Sequence, residues 1–262
     1  MTELEKYYNK FCEEKRLGRR HGRAEYYVTM KYIHKYLAET ENAKIIDIGA
    51  GTGRYSVQLA DEGYDVTAVE LVKYNLGILK SKGSSVKAYH GNALKLSRFA
   101  DDAFDMALLF GPLYHLFTIE DKVKALREAA RVTKKGGFVL AAYCMNEYGV
   151  LLHGFRDGNV KDCMENGKLN ADFHCVSKPE DLYDYVRLED IDRLNEQVNR
   201  EETILKRVQI IAPDGPANYM RQALNAMDEE TFELFIRYQM SVCERPELLG
   251  ASAHTVDILQ KC

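Results

Sequence analysis

Asp47-Ile48-Gly49-Ala50-Gly51-Thr52-Gly53-Arg54 is the stretch whose reading decides the fold. Ahead of it runs Ile45-Ile46-Asp47-Ile48, short and apolar, which suits a buried parallel strand. Behind it, residues 54–62 carry helical spacing and end at Gly63. A glycine-rich turn between strand and helix is where a nucleotide-binding turn belongs: glycine bends sharply and lets a ligand approach the backbone with no Cβ in the way. A merely tight β–α turn has no need of glycines at 49, 51 and 53. Spacing then separates two cofactor classes. A dinucleotide fingerprint, G-x-G-x-x-G, puts its third glycine at position 54 or 56, where this chain has Arg54 and Ser56. What stands here is G-x-G-x-G preceded by an acid. A carboxylate at Asp47 suits an amino-bearing ligand and hinders a pyrophosphate, so a nicotinamide cofactor is the weaker reading.

Outward from the turn, strands and helices alternate. Residues 65–70 read as the second strand, 71–82 as a helix stopped by Gly83, and 86–90 as the third strand. Residues 104–110 form the fourth strand, broken by Gly111-Pro112, then a helix over 119–132 and a fifth strand over 138–144. This alternation implies right-handed crossovers and a parallel sheet with helices on both faces, over residues 44–144. Residues 1–43 read as an N-terminal helical cap. Residues 145–202 read as a lid or substrate-binding insertion, irregular over 146–184 and helical over 187–198. Residues 203–262 supply two last strands, at 203–212 and 253–261, around a helical insertion in which Asp228 is a plausible N-cap.

Composition bounds the function. The chain has 262 residues, 46% hydrophobic and 29% charged, as in an ordinary globule. No apolar run approaches the roughly 18 residues of a membrane span, and the charged N-terminus has no apolar core of a secretion signal; a soluble, cytoplasmic protein is the expectation. Cys12, Cys144, Cys163, Cys175, Cys243 and Cys262 are scattered, without the paired spacing of a disulfide framework or a zinc site, so no metal is expected. A net charge of −4 argues against a dedicated nucleic-acid binder. One local exception is Lys15, Arg16, Arg19, Arg20, His21 and Arg23. It reads as a solvated helix face, as a carboxylate-binding site through Arg19 or Arg23, or as an RNA contact.

The segment from Asp47 to Gly53 resembles motif I of the class I S-adenosylmethionine (SAM)-dependent methyltransferases of the small-molecule type. The likeness continues through residues 44–144. It implies an α/β, doubly wound, Rossmann-like sheet of seven mostly parallel strands with an antiparallel last strand, plus helical lid segments. It also implies SAM as cofactor. Asp47, Gly49, Ala50, Gly51 and Gly53 match the cofactor turn. Glu70, followed by Leu71, matches the acid that faces the ribose hydroxyls, where a carboxylate makes short charge-assisted bonds. Asn92 and Ala93 match the adenine-side motif, although the family more often has Asp at position 92, and Asn92 also reads as a plain turn former. Phe110 ends the strand that lines the methionine part of the cofactor. The continuation Gly111-Pro112-Leu113-Tyr114-His115 is similar to that of small-molecule enzymes, not to the Asn-Pro-Pro-Tyr type.

SAM carries an already electrophilic methyl carbon, so the protein's task is alignment and exclusion of water, and a base is needed only for a protonated amine or a hydroxyl. His115 is the candidate base, with Tyr114 as a cofactor or acceptor contact; both also read as packing groups. Tyr7, Tyr8, Tyr26 and Tyr27 are candidates to roof the site, and residues 243–250 either shape an acceptor pocket or simply connect helix to strand. The expected function is methyl transfer from SAM to an oxygen or nitrogen of a small molecule. A SAM-binding module without turnover and an RNA methyltransferase are the alternatives. Neither acceptor nor oligomeric state is legible.

Overall fold

The apolar run before the turn becomes β1 (Lys44–Ile48), at the middle of the sheet. The computed structural model describes Tyr7, Tyr8 and residues 19–262. Two parallel neighbours flank β1: β2 (Asp65–Glu70), with Ile45 opposite Val66, and β4 (Phe104–Leu109), with Ile45 opposite Met106. Beyond them lie β3 (Lys87–His90) and β5 (Thr133–Met145), also parallel. The C-terminal strand β8 (His254–Lys261) pairs antiparallel with β5, Cys144 opposite His254, and β7 (Leu205–Ile211) pairs antiparallel with β8. The order is therefore 3-2-1-4-5-8-7, and β8 alone among the described strands runs against the rest. A two-residue bridge, β6 (Tyr185–Val186), joins the end of β5 and makes eight strands where the family likeness implies seven.

Alternation along the strands sorts the core into two layers. Ile46, Ile48, Ala107, Leu109, Val139 and Ala141 pack on one face against helix Ile119–Val132 and helix Leu188–Val198. Ile45, Met106, Leu108, Leu140 and Ile258 pack on the other face. There they meet α1 (Arg20–Leu37), through Val28, Tyr32, Ile33 and Leu37, and α2 (Arg54–Asp61), through Tyr55 and Leu59. Each fully buried aliphatic side chain contributes about 1.5–3 kcal/mol relative to exposure, which holds both helix layers on the sheet and fixes the ends of the strands in space.

Two stretches depart from the sequence expectation. β5 begins at Thr133, not at residue 138, because the chain bends through a register shift opposite Phe104 and Met106 with Gly136 at φ +80°. The first half of 146–184 is helical, as Asn146–Gly149, the π-helical turn Val150–Arg156, and Val160–Glu165. Gly149 does not stop this run; a Cβ there would come 3.2 Å from the Tyr185 ring, so its smallness admits that ring. Asp228 does cap a helix, α7 (Glu229–Val242), accepting from the Thr231 N–H at 2.7 Å. It follows the short α6 (Arg221–Ala226). Between α2 and α6 lie α3 (Lys73–Ser81), α4 (Ile119–Val132) and α5 (Leu188–Val198). Of the expected cap, residues 1–6 and 9–18 lie outside the described residues. No described helix is long and apolar enough to cross a membrane.

Candidate active site

At the C-terminal ends of β1, β2 and β4 the strands part, and a cleft opens where ligands bind in open α/β sheets. The turn after β1 forms its floor. Gly49 and Ala50 donate N–H groups to the Val69 carbonyl at 2.7 and 3.2 Å, which ties the turn to β2. The three glycines have different reasons. At Gly49 a Cβ would stand 2.7 Å from Pro112 Cδ, so this glycine admits the chain that follows β4. Gly51 has φ +56° and nothing within 4 Å of where a Cβ would point; it borders open cleft. Gly53 stands behind the turn as the N-cap of α2, packed on Leu79, and is absent from the cleft lining. Gly53, expected at the cofactor turn, thus packs behind the cleft in this structure.

Glu70 locks the second wall. Its carboxylate accepts the Gly51 N–H at 2.8 Å and the Val72 N–H at 2.7 Å, and the residue is 5% exposed. Burial raises its pKa, against the lowering effect of these backbone donors. Asp47 is buried and accepts the Ser56 hydroxyl; burial and the nearby Glu70 charge push its pKa up to about 7, although Ser56 opposes them. Burial and the like charge of Glu70 both favour the protonated form of Asp47. Thr52 Oγ1 and Arg54 Nε are buried at the same wall with no hydrogen-bond partner among the described residues. Arg54 stacks its guanidinium 4.3 Å over the Tyr26 ring. The sequence reading missed Thr52 and Arg54, although both are polar groups set directly in the glycine turn.

Leu71, Asn92, Ala93 and Phe110 line the cleft. Asn92 already uses its side-chain oxygen for the Leu94 N–H at 2.9 Å, so the turn-forming role offered by the sequence is present. Tyr114 donates its hydroxyl to the Phe110 carbonyl at 2.6 Å. His115 lies beside it with both nitrogens engaged. Nδ1 contacts the Leu182 carbonyl at 2.7 Å, so it carries the proton, and Nε2 accepts from the Tyr8 hydroxyl at 3.0 Å. Burial lowers the His115 pKa to about 4, only partly opposed by the Leu182 carbonyl. This imidazole is neutral, weakly basic and already hydrogen-bonded, which fits a strut between the cleft and the 182–184 segment better than a general base. Tyr8 lines the cleft, and Tyr7 accepts from Tyr183 at 3.2 Å; Tyr26 packs under Arg54, and Tyr27 stands outside beside Arg23.

The described part of the basic cluster turns away from the cleft. Arg20 donates to the Leu224 and Met227 carbonyls at the end of α6 and pairs with Glu229; Arg23 pairs with the same Glu229 and stacks 4.8 Å over Phe232. They staple α1 to α6 and α7, where exposed carbonyls at a helix end attract cations. Lys15 and Arg16 lie outside the described residues. Residues 243–250 connect α7 to β8 through the short helix Pro246–Leu249 and do not line the cleft.

Residues 46–141 match the model of a family described as a methyltransferase domain. Over that span the chain is similar to SAM-dependent methyltransferases. A crystal structure of a SAM-dependent methyltransferase from Methanosarcina mazei shares the fold of this chain, with TM-score 0.57, 18% identity, and coverage of 88% of this chain and 96% of that one. A demethylmenaquinone methyltransferase from Renibacterium salmoninarum is 36% identical over 100 residues, 38% of this chain and 40% of that relative. A glycine/sarcosine N-methyltransferase from Aphanothece halophytica is 28% identical over 151 residues, 55% of this chain and 56% of that relative. The chain thus spans about two fifths to a little over half of the curated relatives it matches. SAM is the cofactor that this similarity implies, and the cleft residues fit it: an open approach at Gly51, the buried carboxylates of Asp47 and Glu70, and Thr52 Oγ1 and Arg54 Nε without a hydrogen-bond partner among the described residues.

Proposed function

We propose that this chain transfers the methyl group of SAM to a nitrogen or oxygen of a small molecule. The observation that carries the reading is the single cleft in which Gly51 opens the floor, Glu70 and Asp47 supply negative charge, and the Tyr114–His115 turn closes the far side. When bound, SAM supplies the electrophilic methyl carbon. Glu70 would hold the ribose hydroxyls, Asp47 the amino group, and Thr52 with Arg54 the carboxylate, since Arg matches a carboxylate bidentately. Leu71, Asn92 and Ala93 would bracket the adenine. Tyr114, tied to the Phe110 carbonyl, would exclude water from the reacting end. Positioning of this kind provides up to about 7–11 kcal/mol in favourable intramolecular models. The two relatives, a demethylmenaquinone methyltransferase and a glycine/sarcosine N-methyltransferase by name, support a small acceptor. The pairing of Arg20 and Arg23 with Glu229 favours a small acceptor over RNA. Calorimetry with SAM and with its demethylated product, S-adenosylhomocysteine, tests the cofactor half, and methyl transfer from labelled SAM to small acceptors tests the rest. Absence of heat with both compounds would overturn the reading.

A further inference from the structure

The segment between β5 and β6 encloses a second cavity, of about 240 Å³, that shares no lining residue with the cleft. Val150 and Gly154 of the π-helical turn form one wall, Leu169 and Cys175 another, and Leu182 with Tyr183 a third. Small residues make the room: a Cβ at Gly154 would meet nothing closer than Val160 at 3.7 Å. The partition toward the cleft is thin. The Leu182 carbonyl accepts His115 Nδ1–H at 2.7 Å, and the Tyr183 ring lies 5.3 Å from His115 and 5.8 Å from Tyr114.

The ionisable groups of this lining are paired within the chain. Lys168 Nζ donates to Asp181 at 2.9 Å, His153 Nδ1 lies 3.5 Å from Asp157, and Tyr183 gives its hydroxyl to Tyr7 at 3.2 Å. Burial, followed by the Asp184 charge, pushes the Cys175 thiol up to about 12, so it is uncharged at neutral pH. An ion entering such a space gives up its hydration and gains no counter-charge, whereas an uncharged molecule escapes that penalty. Size narrows the ligand further. An apolar cavity of about 150 Å³ holds one benzene ring, so this larger one has room for two fused rings.

The outer surface has the same character. Among the described residues thirteen large hydrophobic side chains are exposed, and five of them, Leu151, Phe155, Met164, Phe173 and Val176, fall within residues 151–176. Val176 lines the cavity and is 42% exposed, which places it at the mouth. Leu151, Phe155 and Met164 each follow or precede a lining residue in the chain, and the Phe155 and Phe173 rings lie 6.1 Å apart. Exposed apolar groups scattered singly need no explanation; gathered around one cavity they mark a binding site.

We propose that this cavity binds an uncharged, mainly apolar small molecule of about two fused rings, entering past Val176. The site uses none of the residues assigned to SAM, so it can be tested apart from the methyl-transfer reading. The thin wall at Leu182 and Tyr183 allows its ligand two sources of the same chemistry: the apolar body of the methyl acceptor, or a separate effector felt in the cleft through His115.

The test uses the full chain and three probes of one shape: 2-naphthylmethanol, 2-naphthylmethylammonium and 2-naphthoate. Calorimetry or ligand-observed NMR should show the alcohol binding about tenfold or more tighter than either ion. Gly154→Leu, which fills the cavity, should weaken the alcohol by about tenfold or more while circular dichroism reports the native fold. Val176→Glu, an exposed substitution that the fold tolerates, should weaken naphthoate most and narrow the gap between alcohol and ammonium. Equal binding of the three probes, or alcohol binding that neither variant changes, overturns the inference. Full displacement of the alcohol by S-adenosylhomocysteine overturns it too, by placing the probe in the cofactor cleft. Retention of the chain on phosphatidylcholine vesicles without measurable alcohol binding also overturns it and assigns the apolar face to a membrane surface. Labelled SAM then separates the two sources, both of which support the site: label on the alcohol oxygen identifies the acceptor's own pocket, and binding without label identifies an effector site.

Discussion

The two ends of the cleft are built in different ways. The cofactor end is made of backbone: a turn pinned to β2 by the Val69 carbonyl, a Gly51 with open space above it, and a Glu70 whose carboxylate holds two N–H groups. All of it comes from residues 47–93, close in sequence. The acceptor end is made of side chains from four distant places, Tyr8 and Glu25, Tyr114 and His115, Tyr183, and Asp214 with His254. In the proposed reading the first end takes the cofactor and the second the methyl acceptor. Variants should therefore divide cleanly, each harming one end and sparing the other.

The largest effect belongs to the acceptor end. Asp214→Ala should cost about 3–5 kcal/mol of unfolding free energy, because it strands the His254 imidazolium in the interior. Urea unfolding measures it; a loss below about 1 kcal/mol would mean that the ion pair between Asp214 Oδ2 and His254 Nδ1, 2.7 Å apart, is not formed. Next comes Gly51→Val, which fills the open floor and forces a branched residue to φ +56°. Calorimetry should find SAM binding weakened by about a hundredfold or more, while circular dichroism still reports the folded sheet. Retained SAM affinity would remove the cradle from the cofactor end.

Glu70→Ala should weaken SAM binding by about tenfold or more, since a charged hydrogen bond contributes roughly 1.5–3 kcal/mol. It should leave the folded sheet intact by circular dichroism, and a loss of fold would show that this acid is structural instead.

The smallest effect is a difference in sign. The folded pKa of His115 is near 4, below the ordinary value of 6.5, so the unfolded chain takes a proton that the folded chain refuses. Stability from this group is present above pH 6.5 and is lost as pH falls toward 4. Asp47 runs oppositely. Its folded pKa, near 7, lies above the ordinary 3.8, so the stability tied to its proton is present below 3.8 and is lost as pH rises through 7. Thermal melts across pH 4–8 should show His115→Gln flattening the acid side and Asp47→Asn flattening the neutral side; a shared change of slope would refute the assignment.

These contrasts mirror what was legible beforehand. The order of strands and helices over residues 44–144 follows from hydrophobic runs and glycine stops, and the helix Ile119–Val132 and the strand Asp65–Glu70 carry the bounds the spacing predicts. Asn92 shows the limit of matching a motif. Its side-chain oxygen is claimed by a neighbouring N–H, a competition that only coordinates reveal. Glu25 had no local signal at all, and Asp214 stood in a Pro213-Asp214-Gly215-Pro216 stretch that reads as nothing more than a turn. Arg20 and Arg23 carried a signal, positive charge, whose destination was invisible: they face α6 and α7, far along the chain.

The amino-acid order alone determined the alternating sheet and the cofactor turn, because strand length, glycine φ freedom and the acid at the end of β2 act within a few residues of one another. Tertiary structure alone decided that Gly53 packs inward, that His115 is a neutral strut, and that Glu25 meets His254 across more than two hundred residues. Burial and charge pairing depend on what the rest of the chain brings alongside, and no local pattern records that.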